Sequence, residues 1–329
     1  MKVQSNLMRT MVLGAVGTVL AGGLSTSTLA ADYPSKPIEM IVAFGAGGST
    51  DTMARIFAKY AEKELGERIV VVNRPGAGGE IGWVHLANAE PDGYTLGLIN
   101  SPVVEVYPFT REETVGYSLD EIRPLANVIT DPGVLAVSAD SPYQTLDDLV
   151  AAVKDDPESV VISHEGLGGD DHLAALNFAE EAGIDLSFVA YNGNAEATAS
   201  LLGGHITAFE GNMSEAAAQI QEGKVRGLAV WADERVEPIA GVPTGKEQGY
   251  DVQAAASRGF AVPAGVPQEI YDMLLVVTRE VVEDPEFRTE MDQLNMPINA
   301  IYGQDYVDFI NDSHDRLKSL WEKDPWIEQ

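Results

Sequence analysis

The chain has 329 residues, no cysteine, and 51 acidic against 21 basic side chains, giving a net charge of −30. Without cysteine there is no disulfide, thiolate metal site, cysteine nucleophile or lipid-anchored cysteine. So acidic a balance argues against nucleic acid or anionic lipid as a partner, because affinity for phosphate comes from lysine and arginine.

The first thirty residues set Lys2 and Arg9 before an apolar stretch from Met11 to about Leu24, then a run of small residues ending at Ala30. That order predicts a secretory signal peptide over 1–30, cut near Ala30, with Thr28 and Ala30 at the −3 and −1 positions. Interrupted by Gly14, Gly17, Gly22 and Gly23, the apolar stretch falls short of the roughly 20 residues a membrane span needs. The expected product is a free periplasmic protein with room for two domains, each with its own core. Its acidic residues are scattered, as at Glu62, Glu64 and Glu67, and read as a solvated surface.

Residues 38–43 form a short apolar run that enters the glycine-rich turn Phe44-Gly45-Ala46-Gly47-Gly48-Ser49-Thr50-Asp51. Met53, Ile56, Phe57 and Tyr60 then recur at helical spacing up to a stop at Gly66. The β-branched run 69–72 reads as a buried strand. A second glycine turn, Asn73-Arg74-Pro75-Gly76-Ala77-Gly78-Gly79, leads into a helix over 80–89, and Pro91-Asp92-Gly93-Tyr94 turns into a strand over 95–99. Strands alternating with helices predict a parallel sheet with covering helices.

A second series is expected to start after Asp131-Pro132-Gly133. It has strands over 134–137, 160–163, 187–191, 206–209 and 225–230, helices over 145–153, 171–182 and 214–221, and a short helix ending at Leu202. The loop at 164–170 and the turn Asn192-Gly193-Asn194 lie within it. The tail differs: an extended, turn-rich segment over 260–267 precedes helices over 268–282, 285–294 and 304–322.

A glycine turn at a helix N-terminus presents unpaired backbone N–H groups that suit a carboxylate or phosphate. Ser49-Thr50-Asp51 has no lysine for a P-loop, and Thr50 stands where a dinucleotide fingerprint needs glycine. No Gly-x-Ser-x-Gly elbow is present, and His164 and His172 lack metalloprotease spacing. Neither a cofactor nor a metal is expected. Asp51 could cap backbone donors, hold a water or accept from a ligand ammonium. Arg258 could pair with a ligand carboxylate or brace a hinge.

Several motifs in register resemble the periplasmic solute-binding subunits of tripartite tricarboxylate transporters, the Bug proteins. They are Tyr33-Pro34-Ser35-Lys36-Pro37-Ile38, Gly47-Gly48-Ser49-Thr50-Asp51, the second glycine turn with Ile81-Gly82, Pro91-Asp92-Gly93-Tyr94-Thr95-Leu96, Leu201-Leu202-Gly203-Gly204, and the segment 260–267. The resemblance implies a type II, Venus-flytrap binding protein of α/β class, with a mainly parallel sheet in each of two lobes and two interlobe crossings. Lobe 1 would comprise 31–130 plus 254–329, and lobe 2 residues 131–253. It implies a monomeric, non-enzymatic receptor that takes a small organic acid, a di- or tricarboxylate, to the large and small membrane subunits of a transporter. Carried onto this chain, the ligand contacts would be Phe44, Gly48, Ser49, Thr50 and Asp51 from the first lobe. Gly168, Gly169, His172, Tyr191, Asn192 and Gly193 would come from the second, with Arg258 at the crossing. The chain departs from the family pattern at Asp170-Asp171, where small or hydroxyl residues are common. A module feeding a membrane sensor and an exported hydrolase are the alternative readings.

Overall fold

The computed structural model describes residues 33–323 and Pro325, so the expected signal over 1–30 lies outside the described residues. The first elements are β1 (Ile38–Val42), α1 (Ser49–Leu65), β2 (Ile69–Asn73), α2 (Glu80–Ala87), β3 (Thr95–Ser101) and α3 (Val103–Thr110). β1 pairs in parallel with β2 on one side and β3 on the other. Parallel neighbours need a crossover, and α1 and α2 supply it. α1 buries Met53, Ile56, Phe57 and Tyr60, and the Phe57 ring lies 4.1 Å from that of Phe260.

The strand expected over 134–137, after Asp131-Pro132-Gly133, starts much earlier. These residues lie inside β4 (Ile122–Ser138), a strand of 17 residues. Its first part runs antiparallel to β9 (Ala255–Pro263), and its last part runs antiparallel to β7 (Ala208–Asn212) and β8 (Val225–Val230). Pro132 has no N–H to give a ladder, and it sits where β4 exchanges one set of partners for the other. Gly133 takes over there, its N–H donating to Ala254 O at 2.9 Å and its carbonyl accepting from Trp231 N at 2.8 Å. The Pro-Gly pair here marks a change of sheet.

The second sheet is completed by α4 (Leu146–Asp155), β5 (Val161–His164), α5 (Asp170–Ala182), β6 (Ser187–Ala190), α6 (Asn194–Leu202) and α7 (Met213–Gln221). β5 is parallel to both β6 and β7. Strand alternation gives this sheet two packed faces: Leu135 and Val137 meet Leu149, Phe178 and Trp231 on one side, and Val134 and Ala136 meet Leu201, Phe209 and Met213 on the other.

The segment read as extended and turn-rich over 260–267 begins as the end of β9, which lies antiparallel between β3 and β4. The tail then forms α8 (Gln268–Glu283), α9 (Pro285–Gln293), β10 (Ile298–Tyr302) and α10 (Gln304–Trp321). β10, which sequence reasoning missed, runs antiparallel to the first part of β4. Two α/β halves result, each with parallel strands extended by antiparallel ones, and the chain passes between them within β4 and again at the entry to β9.

Candidate functional site

The glycine loop after β1 faces the second half of the molecule. Gly45 N–H donates to Asn192 O at 3.3 Å, and Ser49 Oγ donates to Glu215 Oε1 at 2.5 Å. Gly78 of the second glycine turn has φ of 66°, and a β-carbon there would sit 3.1 Å from Gly166 Cα. Glycine at 78 therefore serves both the left-handed backbone and the close approach of the loop after β5.

These loops enclose a cavity of about 10 Å³ whose walls include Phe44, Asn100, Glu165, Asp170, Asp171 and Arg258. Beside it, a groove of about 330 Å³ is lined by Gly48, Ser49, Asn194 and Glu215, among others. A larger hollow of about 520 Å³ lies between β9, α5 and α10, where Ser257, Asn177 and Arg316 are among its walls. It shares Asp170 with the small cavity but none of the glycine-turn residues.

Of the residues expected at the site, Phe44, Gly169 and Arg258 line the small cavity, and Gly48 and Ser49 line the groove. The others support these walls. Thr50 Oγ1 accepts from Asn100 Nδ2 at 3.2 Å. Asp51 is taken up inside its own lobe: its Oδ2 accepts from Gly47 N at 2.9 Å and Arg55 Nε at 3.0 Å, and its Oδ1 from Arg55 Nη2 at 2.8 Å and Asn73 Nδ2 at 2.9 Å. Burial works to raise the Asp51 pKa, but the bonds from Arg55, Gly47 and Asn73 outweigh it and hold the carboxyl below its ordinary value. Its role is to shape the glycine loop.

Gly168, with φ of 82°, donates its N–H to His172 Nδ1 at 3.1 Å. His172 is buried against His164 and Phe188, away from the cavity walls. Burial, with a smaller contribution from His164, pushes its pKa down to about 3, so the ring is neutral and Nδ1 is the acceptor. Tyr191 OH pairs with Ser200 Oγ at 2.5 Å, Asn192 offers its carbonyl to Gly45, and Gly193 is the N-cap of α6.

Arg258 is 1% exposed. Its Nη1 donates to Asp131 Oδ2 at 2.8 Å, and its Nη2 to Asn212 Oδ1 at 2.5 Å and Glu215 Oε1 at 3.4 Å. Burial works against its charge, but Asp131 and Glu215 more than compensate and the guanidinium stays protonated. Burial also pushes Asp131 up to about 6, even with Arg258 beside it.

The second half carries its own carboxyl groups at its helix N-termini. Asp171 Oδ2 accepts from Glu165 N at 2.6 Å, and its Oδ1 from His172 N at 2.7 Å. Glu165 Oε1 accepts from Asn194 N at 2.6 Å, where α6 begins. Glu215 Oε2 accepts from Asn212 N at 3.0 Å and Asn194 Nδ2 at 2.6 Å, where α7 begins. Burial raises the pKa values of Glu165, Asp170, Asp171 and Glu210. By contrast α1 is capped by Gly48, which has no side chain to accept from its first turn.

Sequence reasoning missed Asn100, Glu165 and Glu215 as wall residues. A signal did exist for Asn100: in sheets with parallel strands, ligands sit beyond the carboxyl ends of neighbouring strands, and Asn100 lies near the end of β3 beside β1.

Facing glycine loops on two α/β halves, joined by paired strand crossings, define a two-lobed solute-binding protein of the periplasmic type. The chain belongs to the family described as the tripartite tricarboxylate transporter family receptor, whose sequence profile matches residues 53–324. It is 35% identical to protein BugT of Bordetella pertussis over 269 residues, covering 80% of this chain and 82% of that protein. It is also similar to the structure of periplasmic binding protein BugD, at 29% identity and a TM-score of 0.82, covering 88% of this chain and 98% of the other. The structure of MatC from Rhodopseudomonas palustris with bound malate has a TM-score of 0.80 at 24% identity, over 87% of this chain and 99% of that one, a likeness of fold.

Proposed function

We propose that the protein is exported to the periplasm, its signal removed near Ala30, and that it captures a small organic acid and delivers it to the membrane subunits of a tripartite tricarboxylate transporter. The observation that carries this reading is that the N-terminus of α1, at Gly48 and Ser49, and the second-lobe residues Asn194 and Glu215 line one groove, beside the small cavity walled by Phe44, Glu165 and Arg258. Membership of a receptor family supports it, and so does the malate held by a protein of the same fold. The proposed lobes are 31–130 with 254–329, and 131–253, in keeping with the exchange of partners along β4.

In this reading the first-turn amides of α1, which have no acceptor within the helix, meet a ligand carboxylate. The helix N-terminus carries about half a positive charge and needs no reorganisation. Phe44 supplies an apolar wall, while Gly48 and Ser49 let the ligand approach the backbone. Closure excludes water and strengthens these interactions, so a ligand bonded to both lobes favours the closed state. The protein acts as a monomer and changes no covalent bond.

A thermal-shift screen of carboxylic acids tests the reading. A ligand at a hundred times its dissociation constant adds about 2.7 kcal/mol of stability. No shift with any carboxylic acid would contradict it.

A further inference from the structure

β9 presents two faces where the chain passes between the halves. Ala256 and Arg258 line the small cavity between the glycine loops, whereas Ala255 and Ser257 line the hollow of about 520 Å³, as the alternation of side chains along a strand requires. β4 repeats the division: Asp131 bonds to Arg258 on the first side, and Thr130 Oγ1 lies 3.0 Å from Ser257 Oγ on the second. The hollow is therefore a separate space behind the crossing strands, joined to the cavity only through Asp170. Its remaining walls come from both halves, with Leu173 and Asn177 from α5 and Phe309, Arg316 and Leu317 from α10.

Small-molecule sites span about 300–1,000 Å³ and are mostly apolar with a few polar groups. Here Leu173, Phe309 and Leu317 supply apolar surface. The wall hydroxyls of Thr130, Ser257 and Ser101 are already paired within the protein, the last with Glu105. Arg316 is not: among the described residues it has no hydrogen bond or ion pair, although Asp312 stands four residues before it on α10. An unpaired guanidinium beside apolar walls suits an oxyanion, which it can hold through two parallel N–H bonds. Of the acidic wall residues, Asp170 accepts from Asn212 Nδ2 at 2.8 Å, and Asp312 is exposed.

Asp170 also ties the hollow to the space in front, because Asn212 in turn accepts from Arg258 Nη2 at 2.5 Å. A molecule seated between α5 and α10 touches both halves in the arrangement that brings Gly45 to Asn192 and Ser49 to Glu215, and so favours that arrangement.

We propose that this hollow is an effector site for a small amphipathic monoanion, with an oxyanion head on Arg316 and an apolar body against Leu173, Phe309 and Leu317. Its occupant is distinct from the organic acid, which belongs in front of the crossing strands. The site itself does not depend on the receptor reading, but its effect on acid affinity rests on it.

The test is calorimetric titration of the chain without residues 1–30, at low ionic strength, with 4-bromobenzenesulfonate, the neutral 4-bromobenzenesulfonamide and 4-bromobenzylammonium. The sulfonate is expected to bind about tenfold or more tightly than either of the others, the scale of one charge-assisted contact. Arg316→Gln should remove that margin. Asp312→Asn, which takes a like charge from the rim, should tighten sulfonate binding about twofold or more. Both positions are exposed on α10, so neither change threatens the fold. The bromine of the sulfonate, located by anomalous diffraction, should lie between α5 and α10. With the sulfonate at saturation, the acid that gives the largest thermal shift should bind about fivefold or more tightly. A sulfonate that does not bind, binds no better than the ammonium, or keeps its affinity in Arg316→Gln would overturn the site. An acid affinity unmoved by bound sulfonate would overturn the effector role. If no carboxylic acid binds, the receptor reading and the effector role fall together, while the sulfonate titration still decides the site.

Discussion

Arg258 Nη1 and Asp131 Oδ2 lie 2.8 Å apart, with both side chains almost wholly withdrawn from solvent. They stand on neighbouring strands where β4 leaves one sheet for the other, and Asp131 also accepts from the Ser214 hydroxyl and N–H at the start of α7. Removing one partner leaves a buried charge uncompensated. Arg258→Leu should therefore cost about 3–5 kcal/mol in urea unfolding. The double variant Arg258→Leu/Asp131→Asn should recover part of that loss. Equal stability of Arg258→Leu and the parent would refute the role of this pair.

Glu105 predicts a pH dependence that can be isolated. It is fully buried and accepts from Ser101 Oγ at 2.5 Å, and burial pushes its pKa from 4.5 up to about 7. An acid whose folded pKa is raised binds its proton more tightly in the folded state. Its contribution is fully present below pH 4.5 and is lost as pH rises to 7. Glu105→Gln removes this dependence. Its stability relative to the parent should rise across that window by about 3 kcal/mol, and then level off. Urea titrations at pH 4.5, 6 and 8 measure the difference. A difference that stays constant with pH would contradict the assignment.

His164 and His172 act in the opposite sense. Burial lowers both pKa values, His172 to about 3. Below pH 6.5 the unfolded chain takes up protons that the folded one refuses, so their contribution is lost as pH falls. His172→Asn should flatten the acid limb of the stability profile between pH 6.5 and 4.

Two glycines should respond differently to substitution. Gly48 has an extended backbone, with φ of −76°, and a β-carbon there would make only an ordinary contact, 3.6 Å from Gly45 O. Gly48→Val should fold normally, with unfolding free energy within about 0.5 kcal/mol of the parent, yet lose ligand affinity. Gly168→Ala, at φ of 82°, should cost about 1 kcal/mol or more in stability itself. Calorimetry for binding and urea unfolding for stability separate the two.

Much of this was legible in the sequence, for identifiable reasons. α1 and β2 follow from helical spacing of Met53, Ile56, Phe57 and Tyr60 and from the β-branched run at 69–72. β4 was hidden because Pro124, Pro132 and Gly133 punctuate it; its continuity comes from partners on both sides, which local composition does not encode. Residues 298–302 become a strand through pairing with β4. The glycine loops pointed to a candidate site, but Asn100, Glu165 and Glu215 reach its walls from separate elements, and only the packing of the halves brings them together. Asp51 and Arg258 show the limit from the other side: Arg55 stands one helical turn after Asp51, where helical spacing offers it as a partner, but Asp131 is 127 residues from Arg258 and only the fold pairs them.

The acidic surface makes stability depend on salt. With a net charge of −30, self-repulsion should be screened as ionic strength rises, over a Debye length that falls from about 10 Å at 0.1 M to 3 Å at 1 M. The melting temperature should climb between dilute buffer and molar sodium chloride. A flat or falling value would mean that the carboxylates are spaced widely enough, or paired well enough, to be insensitive to screening.

The most direct test is a crystal structure of the chain without residues 1–30, grown with the acid that gives the largest thermal shift. The account predicts a ligand between the α1 N-terminus and the loop at 164–170, with its carboxylate on the first-turn amides around Gly48 and Ser49. A ligand lodged in the hollow beside Arg316, or anywhere outside the space between the two glycine loops, would contradict it.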